Sequence, residues 1–164
     1  MPTPAAYTLD ARRFLAQLGD YADRAGSGTA DPVLRDGLSR AADHYAAGNK
    51  RRFLASQASG WPPLAESTRR RKAARGTLGK GTLRGDTDRL YNSLTPGSPD
   101  HLRTLTPDGI QVGSAVPYLI YHHLGTRTIP RREVWGPPDA QAEAEIDAEL
   151  VKAVDALTAA IFRP

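Results

Sequence analysis

The spacing of apolar residues predicts two helices in the N-terminal third of the chain. In the first, which has Thr8 as its N-cap, apolar side chains recur at three- and four-residue steps until Gly26 ends the pattern. A second apolar face predicts a helix over about 32–57, which Gly48 and Asn49 weaken midway. We therefore expect two amphipathic helices joined by a short connector.

The middle of the chain is predicted as short elements around a loop. The two prolines at 62–63 disfavour helix in the residues before them. A short helix is expected to end at Arg75, and the next segment, 76–85, contains four glycines and little that a core could bury. This composition predicts a mobile loop, followed by a short helix with Asp86 or Thr87 as its cap.

After residue 100 the periodicity changes from helical to strand-like. Two segments with apolar alternation, 102–106 and 110–112, flank Pro-Asp-Gly at 107–109. An Asp-Gly pair between two alternating segments is a strong local signal for a hairpin. We expect two antiparallel strands here.

The C-terminal part is predicted as two helices separated by a loop or edge strand over 126–133. The first helix covers 118–124 and ends at Gly125, and the second runs from about Asp139 to Phe162. The core stripe of the second helix is Ile146, Leu150, Val154, Leu157 and Ile161.

These elements predict an α+β fold, in which N-terminal helices and a long C-terminal helix pack on a small antiparallel β-sheet. The length of 164 residues fits one domain, 1–164. Within it we expect an N-terminal helix and connector over 1–30 and a long, flexible basic loop region over 59–86.

The composition excludes several classes of protein. With no cysteine among 164 residues, there is no disulfide framework, thiolate nucleophile or cysteine-ligated metal. The mean hydropathy is −0.47, and no apolar run approaches the ~20 residues of a bilayer helix. The first residues lack the basic and apolar regions of a secretory signal, so we expect no membrane association.

The net charge of +4 is unevenly distributed. Residues 50–89 contain eleven Lys or Arg and three acids, whereas residues 139–164 contain six acids and two bases. A basic middle and an acidic C-terminal segment can attract polyanions, or copies of the same chain arranged head to tail.

The basic middle contains the strongest electrostatic feature of the sequence. Such a cluster either binds DNA phosphates without reading base sequence or forms a solvated basic surface. No ladder of aromatic residues accompanies it, which disfavours specific base recognition. The candidate interface or DNA-channel residues are Arg69, Arg70, Arg71, Lys72, Arg75, Lys80 and Arg84.

No catalytic, cofactor or metal site is predicted. His122 and His123 are adjacent, so on a helix they diverge by about 100° and cannot hold one metal together. The Gly-Lys-Gly-Thr sequence at 79–82 lacks the spacing of a phosphate-binding loop, and no serine lies in a nucleophile elbow. We expect structural roles for Tyr118, His122 and Gly125, with one histidine packed and hydrogen-bonded.

Five segments, in a fixed order, resemble the phage virion-morphogenesis proteins, also called tail-completion proteins, of Mu-like and P2-like phages. The match as a whole extends over about three quarters of the chain, roughly 40–162. Leu119 stands where the family has a small residue, and Glu-Val-Trp at 133–135 replaces Pro-Phe-Leu. The segments are WPPLAEST at 61–68, LRGDTDRLYNSL at 83–94, IQVGS at 110–114, YLIYHHLG at 118–125 and IPRREVWG at 129–136.

The resemblance implies a structural, non-enzymatic subunit located in the neck or tail end of a virion and assembled in the host cytoplasm. It implies a homo-oligomeric ring, with a hexamer favoured, that contacts other neck or tail proteins and packaged DNA. Tail completion and head–tail joining both fit. No catalytic residue and no cofactor carries over.

Subunit contacts in such a ring would combine apolar anchors with charge. Trp61 and Trp135, each near prolines, are anchor candidates for either the core or a subunit interface. Acidic candidates for the interface are Glu145, Glu149 and Asp155. The alternative function is a small nucleic-acid-binding protein that uses the basic middle segment, and a hydrolase built around His122 lacks an evident catalytic partner.

Overall fold

The computed structural model describes residues 6–10, 30–56, 60–106 and 109–161. These residues form a three-stranded antiparallel sheet and a set of helices, so the predicted α+β class is confirmed. The elements are β1 (Ala6–Asp10), α1 (Ala30–Ala55), α2 (Glu66–Ala74), a 3₁₀ turn (Leu78–Lys80), α3 (Arg89–Asn92), β2 (His101–Thr106), β3 (Gly109–Ser114), α4 (Leu119–Leu124) and α5 (Ala140–Ile161).

The two long helices, α1 and α5, pack along each other and form one side of the core. The predicted α1 stripe is buried at Leu34, Leu38 and Tyr45, and α5 buries Ile146 and Leu157. Burying each large aliphatic side chain of this kind contributes about 1.5–3 kcal/mol. The 3.6-residue period therefore predicted both helices and the faces they bury.

β3 is the central strand, with β1 on one side and β2 on the other. Leu9 of β1 and Leu105 of β2 are both backbone partners of Ile110 in the registers of the two antiparallel pairs. Ile110 and Val112 are fully buried, and α1 lies against this strand. The predicted hairpin is confirmed, with residues 107 and 108 of its turn outside the described part of the chain.

The helix predicted from Thr8 is wrong at its start, because Ala6–Asp10 is strand β1. The segment pairs with β3 over five registered residues, from Ala6 opposite Gly113 to Asp10 opposite Gly109. Hydrogen bonding along the open edge of a hairpin thus overrides local helix propensity. The rest of that predicted helix and its connector, 11–29, lie outside the described residues.

α2 and α4 lie close to their predicted positions, whereas the predicted cap of α3 is wrong: its N-cap is Asp88, not Asp86 or Thr87. α2 ends at Ala74 with Arg75 as its C-cap. Gly125 follows α4 with a φ of 77°, in the left-handed region that favours glycine. A Cβ on Gly125 would also lie 2.9 Å from the main-chain nitrogen of Arg131, so the chain turns back on itself there.

In the described part of the chain, no helix is both long enough and apolar enough to span a bilayer.

Candidate functional site

The two tryptophans both pack within the subunit. Trp135 is fully buried, and its ring stacks on Tyr45 with centroids 5.9 Å apart. Trp61 is half-buried and meets Phe53 edge to face at 5.1 Å. Of the two roles expected for the tryptophans, core packing or subunit contact, Trp135 has the first. None of its surface is left for a neighbouring subunit to contact.

The segment before α5 is fixed to α1 by buried hydrogen bonds. Tyr45 Oη donates to Gly136 O at 2.8 Å, and Gly136 N donates to Asn49 Oδ1 at 3.0 Å. Arg52 also donates to Asn49 Oδ1, at 2.8 Å, and its guanidinium fills the space that a Cβ on Gly136 would need. The side-chain amide nitrogen of Asn49 donates to Tyr45 O at 3.0 Å. Asn49 therefore has a structural role between α1 and the segment before α5.

Of the two adjacent histidines, the one that is packed and hydrogen-bonded is His123, which was not among the candidate structural residues. His123 is buried, and its Nδ1 accepts a hydrogen bond from Val134 N at 3.3 Å. Burial lowers the pKa of His123, and protonation of Nδ1 would also abolish this bond. Consecutive residues on a helix point about 100° apart, so His122 and His123 have different surroundings.

His122 is half-buried. Its ring meets Tyr118 edge to face at 6.3 Å, and its Nδ1 is buried without a hydrogen-bond partner among the described residues. Burial and, secondarily, the charge of Arg132 lower the pKa of His122.

Most residues of the predicted basic cluster form ion pairs with nearby carboxylates, although two of these carboxylates are each shared by two cations. Arg69 and Arg70 share Glu66, at 2.7 and 3.0 Å, and their hydrogen bonds lower the pKa of the Glu66 carboxyl. Arg84 donates to Asp88 at 2.7 Å, which lowers the pKa of Asp88. The Glu66 pairs are exposed, and such pairs stabilise a fold little because water and salt screen them.

Arg75 and Lys80 make longer ion pairs. Arg75 lies 3.5 Å from Asp86, and Lys80 lies 3.9 Å from Asp88. Arg71 and Lys72 are the exceptions in the predicted cluster, because neither forms an ion pair with any residue that the structure describes.

Lys72 organises the glycine-rich segment that follows α2. Its half-buried ammonium donates to the main-chain oxygens of Gly81 and Arg84. Burial lowers the pKa of this lysine. These contacts give the 76–85 segment a defined path across the end of α2, and its mobility in solution stays a prediction.

A cavity of 430 Å³ lies between α2, the 76–85 segment and the loop that follows α4. Four predicted basic residues line it: Arg71, Lys72, Arg75 and Arg84. Arg69, Arg70 and Lys80 do not line it. Sequence reasoning missed Arg132 and His122 as wall residues, although the basic composition of 126–133 was visible in the sequence.

Arg132 is the most buried cation of this cavity, with 4% of its surface exposed. Its Nη2 donates to Pro62 O and Pro63 O, both at 3.0 Å, and its Nε donates to Pro62 O at 3.3 Å. Burial lowers the pKa of Arg132. The guanidinium therefore links the loop after α4 to the proline segment before α2.

The acidic candidates on α5 differ in their surroundings. Glu149 is buried and accepts hydrogen bonds from Arg40 at 2.8 Å and Lys152 at 2.6 Å, which lower its pKa. Glu145 accepts from Gln141 at 2.9 Å and lies 3.1 Å from His44 Nδ1. Glu149 is therefore engaged inside the subunit, whereas Asp155 is exposed.

Among the described residues, no group of three or more His, Asp or Glu side chains is arranged to hold a metal ion. Arginine, lysine and threonine side chains dominate the polar lining of the cavity. Such an arrangement can bind an anion.

No family model matches the chain, and no curated protein or solved structure is significantly similar to it.

Proposed function

We propose that this chain is a structural protein of a tailed-phage or prophage virion, which acts in tail completion or head–tail joining as a subunit of a ring. The starting point is the resemblance over roughly 40–162, which rests on five segments between 61 and 136. It predicts a location in the virion neck or tail end.

The observation that supports this proposal most is that the five resembling segments contact one another. Segments separated by up to about seventy residues are joined through specific polar groups and one shared core. The proposal requires the five segments to belong to one folded unit, and these contacts meet that requirement. The joining contacts are Arg132 with Pro62 and Pro63, Val134 N with His123 Nδ1, Arg132 N with His122 O, and Ser114 Oγ with Ser93 Oγ.

An exposed apolar surface on α4 also fits a subunit that assembles. Tyr118, Tyr121 and Leu124 expose 41, 49 and 63% of their surfaces. Neighbouring exposed apolar side chains favour protein–protein contact, and buried aromatic residues often dominate the affinity of an interface. This surface, rather than Trp135, provides the apolar anchors that a ring needs.

Electron microscopy of particles made without this protein tests the proposal. We expect separate heads and tails, or tails of abnormal length, and expression of the wild-type chain in trans should restore complete particles. Normal, joined particles of normal tail length in the absence of the protein would contradict the proposed role.

The exposure of α2 favours nucleic-acid binding as a second function. None of its residues is fully buried, and it contains three consecutive arginines and a lysine. A helix of this kind can bind phosphates by counterion release. Salt-dependent retention of DNA by the isolated monomer would favour this function, and a monomer without DNA affinity would exclude it.

A further inference from the structure

The charge of Arg132 lacks a carboxylate partner. Only 4% of the surface of Arg132 is exposed. Its guanidinium donates three hydrogen bonds, all to the neutral carbonyl groups of Pro62 and Pro63. Among the described residues, no Asp or Glu forms an ion pair with it. Buried charges are almost always paired, because removing an ion from water costs several kcal/mol. The structure therefore leaves a counter-charge to be supplied at this position.

Arg71 presents a second uncompensated charge to the same cavity. It is exposed on α2 and has no ion pair within the described ranges, whereas Arg75 and Arg84 are held by Asp86 and Asp88. Lys72 adds a third positive charge, since its hydrogen bonds end on main-chain oxygens. Two of these cations lie on α2 and the third lies in the loop after α4, and they face a cavity in which Asp86 is the one carboxylate among the described lining residues.

We propose that this cavity is a phosphate-binding site, in which Arg71 and Arg132 contact the anion and Lys72 lies beside it. A phosphate group presents acceptor oxygens in several directions and carries up to two charges, which suits donors on separate walls. A carboxylate is planar and carries one charge, so it would satisfy only part of this set. The volume of 430 Å³ exceeds what a single phosphate occupies and leaves room for a phosphate chain.

His122 and the cavity threonines give additional support. His122 Nδ1 is buried without a described partner, and a neutral imidazole can place its proton on that nitrogen and donate it to an anion. Threonines 68, 82 and 128 contribute hydroxyl groups to the lining. The site thus combines charged and neutral donors, as phosphate sites in proteins commonly do.

The phosphate could come from a nucleic-acid backbone or from a free phosphate compound. Titration calorimetry of the full chain, at constant ionic strength in chloride, distinguishes these sources with three probes: inorganic phosphate, tripolyphosphate and a short single-stranded DNA of mixed sequence. An acidic peptide of matched charge serves as the carboxylate probe. We expect saturable binding of tripolyphosphate with a stoichiometry of one and weaker binding of the peptide.

Two variants with the same change in charge make the test specific. Arg71→Gln removes an exposed cavity cation without breaking a described ion pair, and Arg127→Gln does the same outside the cavity. We expect Arg71→Gln to weaken tripolyphosphate binding about tenfold or more and Arg127→Gln to leave it within about twofold. Unchanged thermal melting should show that both variants fold.

Each outcome supports or overturns the site. DNA binding that tripolyphosphate displaces and Arg71→Gln weakens assigns the phosphate to a nucleic-acid backbone, whereas tripolyphosphate binding alone assigns it to a free compound. The proposal is overturned by no saturable phosphate binding, by equal losses in the two variants, or by preferential binding of the acidic peptide. The phosphate site and the virion role are tested independently. Calorimetry can show no phosphate binding while particles without the protein are still defective, and it can show binding while such particles are normal.

Discussion

Gly37 of α1 lies against Ala153 of α5 so closely that a Cβ on Gly37 would be 2.5 Å from the Ala153 Cβ. Gly48, three turns further along α1, has the same relationship with Ala142, at 2.7 Å. Each distance is shorter than real Cβ contacts allow. The two helices are therefore held at a separation that only small residues permit.

We predict that Gly37→Ala destabilises the fold by about 1–3 kcal/mol, even though alanine is the better helix former by about 1 kcal/mol. The overpacking at Ala153 outweighs the gain in helix propensity. Denaturant unfolding measures this change, and Ala153→Gly in the same chain should recover part of the loss. A Gly37→Ala variant as stable as the wild type would show that α1 and α5 can separate without cost.

Gly48 and Asn49 show what the sequence alone conceals about α1. Both are weak helix formers, and the sequence predicts a weak point in the helix. In the structure Gly48 allows the close approach of α5, and Asn49 accepts hydrogen bonds from Gly136 and Arg52. Their role depends on residues almost ninety positions away, which no local pattern specifies.

The elements that the sequence predicts well are those whose signal is local. The apolar period of α5, the Asp-Gly turn signal and the glycine at 125 each depend on residues close in the chain. Strand β1 was missed because its hydrogen-bond partners are about one hundred residues away. The cavity was only half predicted for the same reason: the basic run at 69–72 is visible, whereas the burial of Arg132 is a property of the folded chain.

The stability of the protein should fall as the pH drops below about 6.5, the ordinary pKa of imidazole. The pKa values of His122 and His123 are both lowered by burial, so the folded state binds fewer protons than the unfolded state in this range. Their stabilising contribution is complete above the unfolded pKa and is lost as the pH falls towards the folded pKa values. Each histidine contributes at most about 1.4 kcal/mol per pH unit.

Chemical denaturation at several pH values between neutral and mildly acidic conditions measures this slope. The variant His122→Gln, with His123 intact, should reduce the slope, and a second replacement at His123 should reduce it further. If both replacements leave the slope unchanged, the two histidines are not the source of the pH dependence.

Assembly should depend on the apolar surface of α4. We predict that Leu124→Asp prevents ring formation without loss of fold, because it places a charge on a residue that is 63% exposed in the subunit. Leu54→Asp is the matched control, since Leu54 is 42% exposed on α1. Sedimentation velocity separates ring from monomer. Equal effects of the two changes would argue against a specific α4 interface.

Charge on the outer face of α5 should set the orientation of neighbouring subunits. We predict that reversing Glu143, Asp147 and Asp155 to lysine impairs ring formation at low salt, since these exposed acids make no ion pair within the described residues and remain available for the basic middle of a neighbour. Glu149 is left unchanged, because Arg40 and Lys152 bind it within the subunit.

The neutral triple variant, with Gln or Asn at the same three positions, is the control for this charge effect. It should give an intermediate defect, and added salt should reduce the difference between it and the wild type. Normal assembly of the reversed variant, or a two-fold dimer in place of a ring, would mean that these charges do not set the register.

The most direct test of the virion role is to locate the chain in purified particles by antibody–gold labelling in the electron microscope. The account predicts label at one position per particle, at the neck or the end of the tail, and no label on particles from a strain that lacks the chain. Label spread over the head shell or along the tail, or complete particles that contain none of the protein, would contradict it.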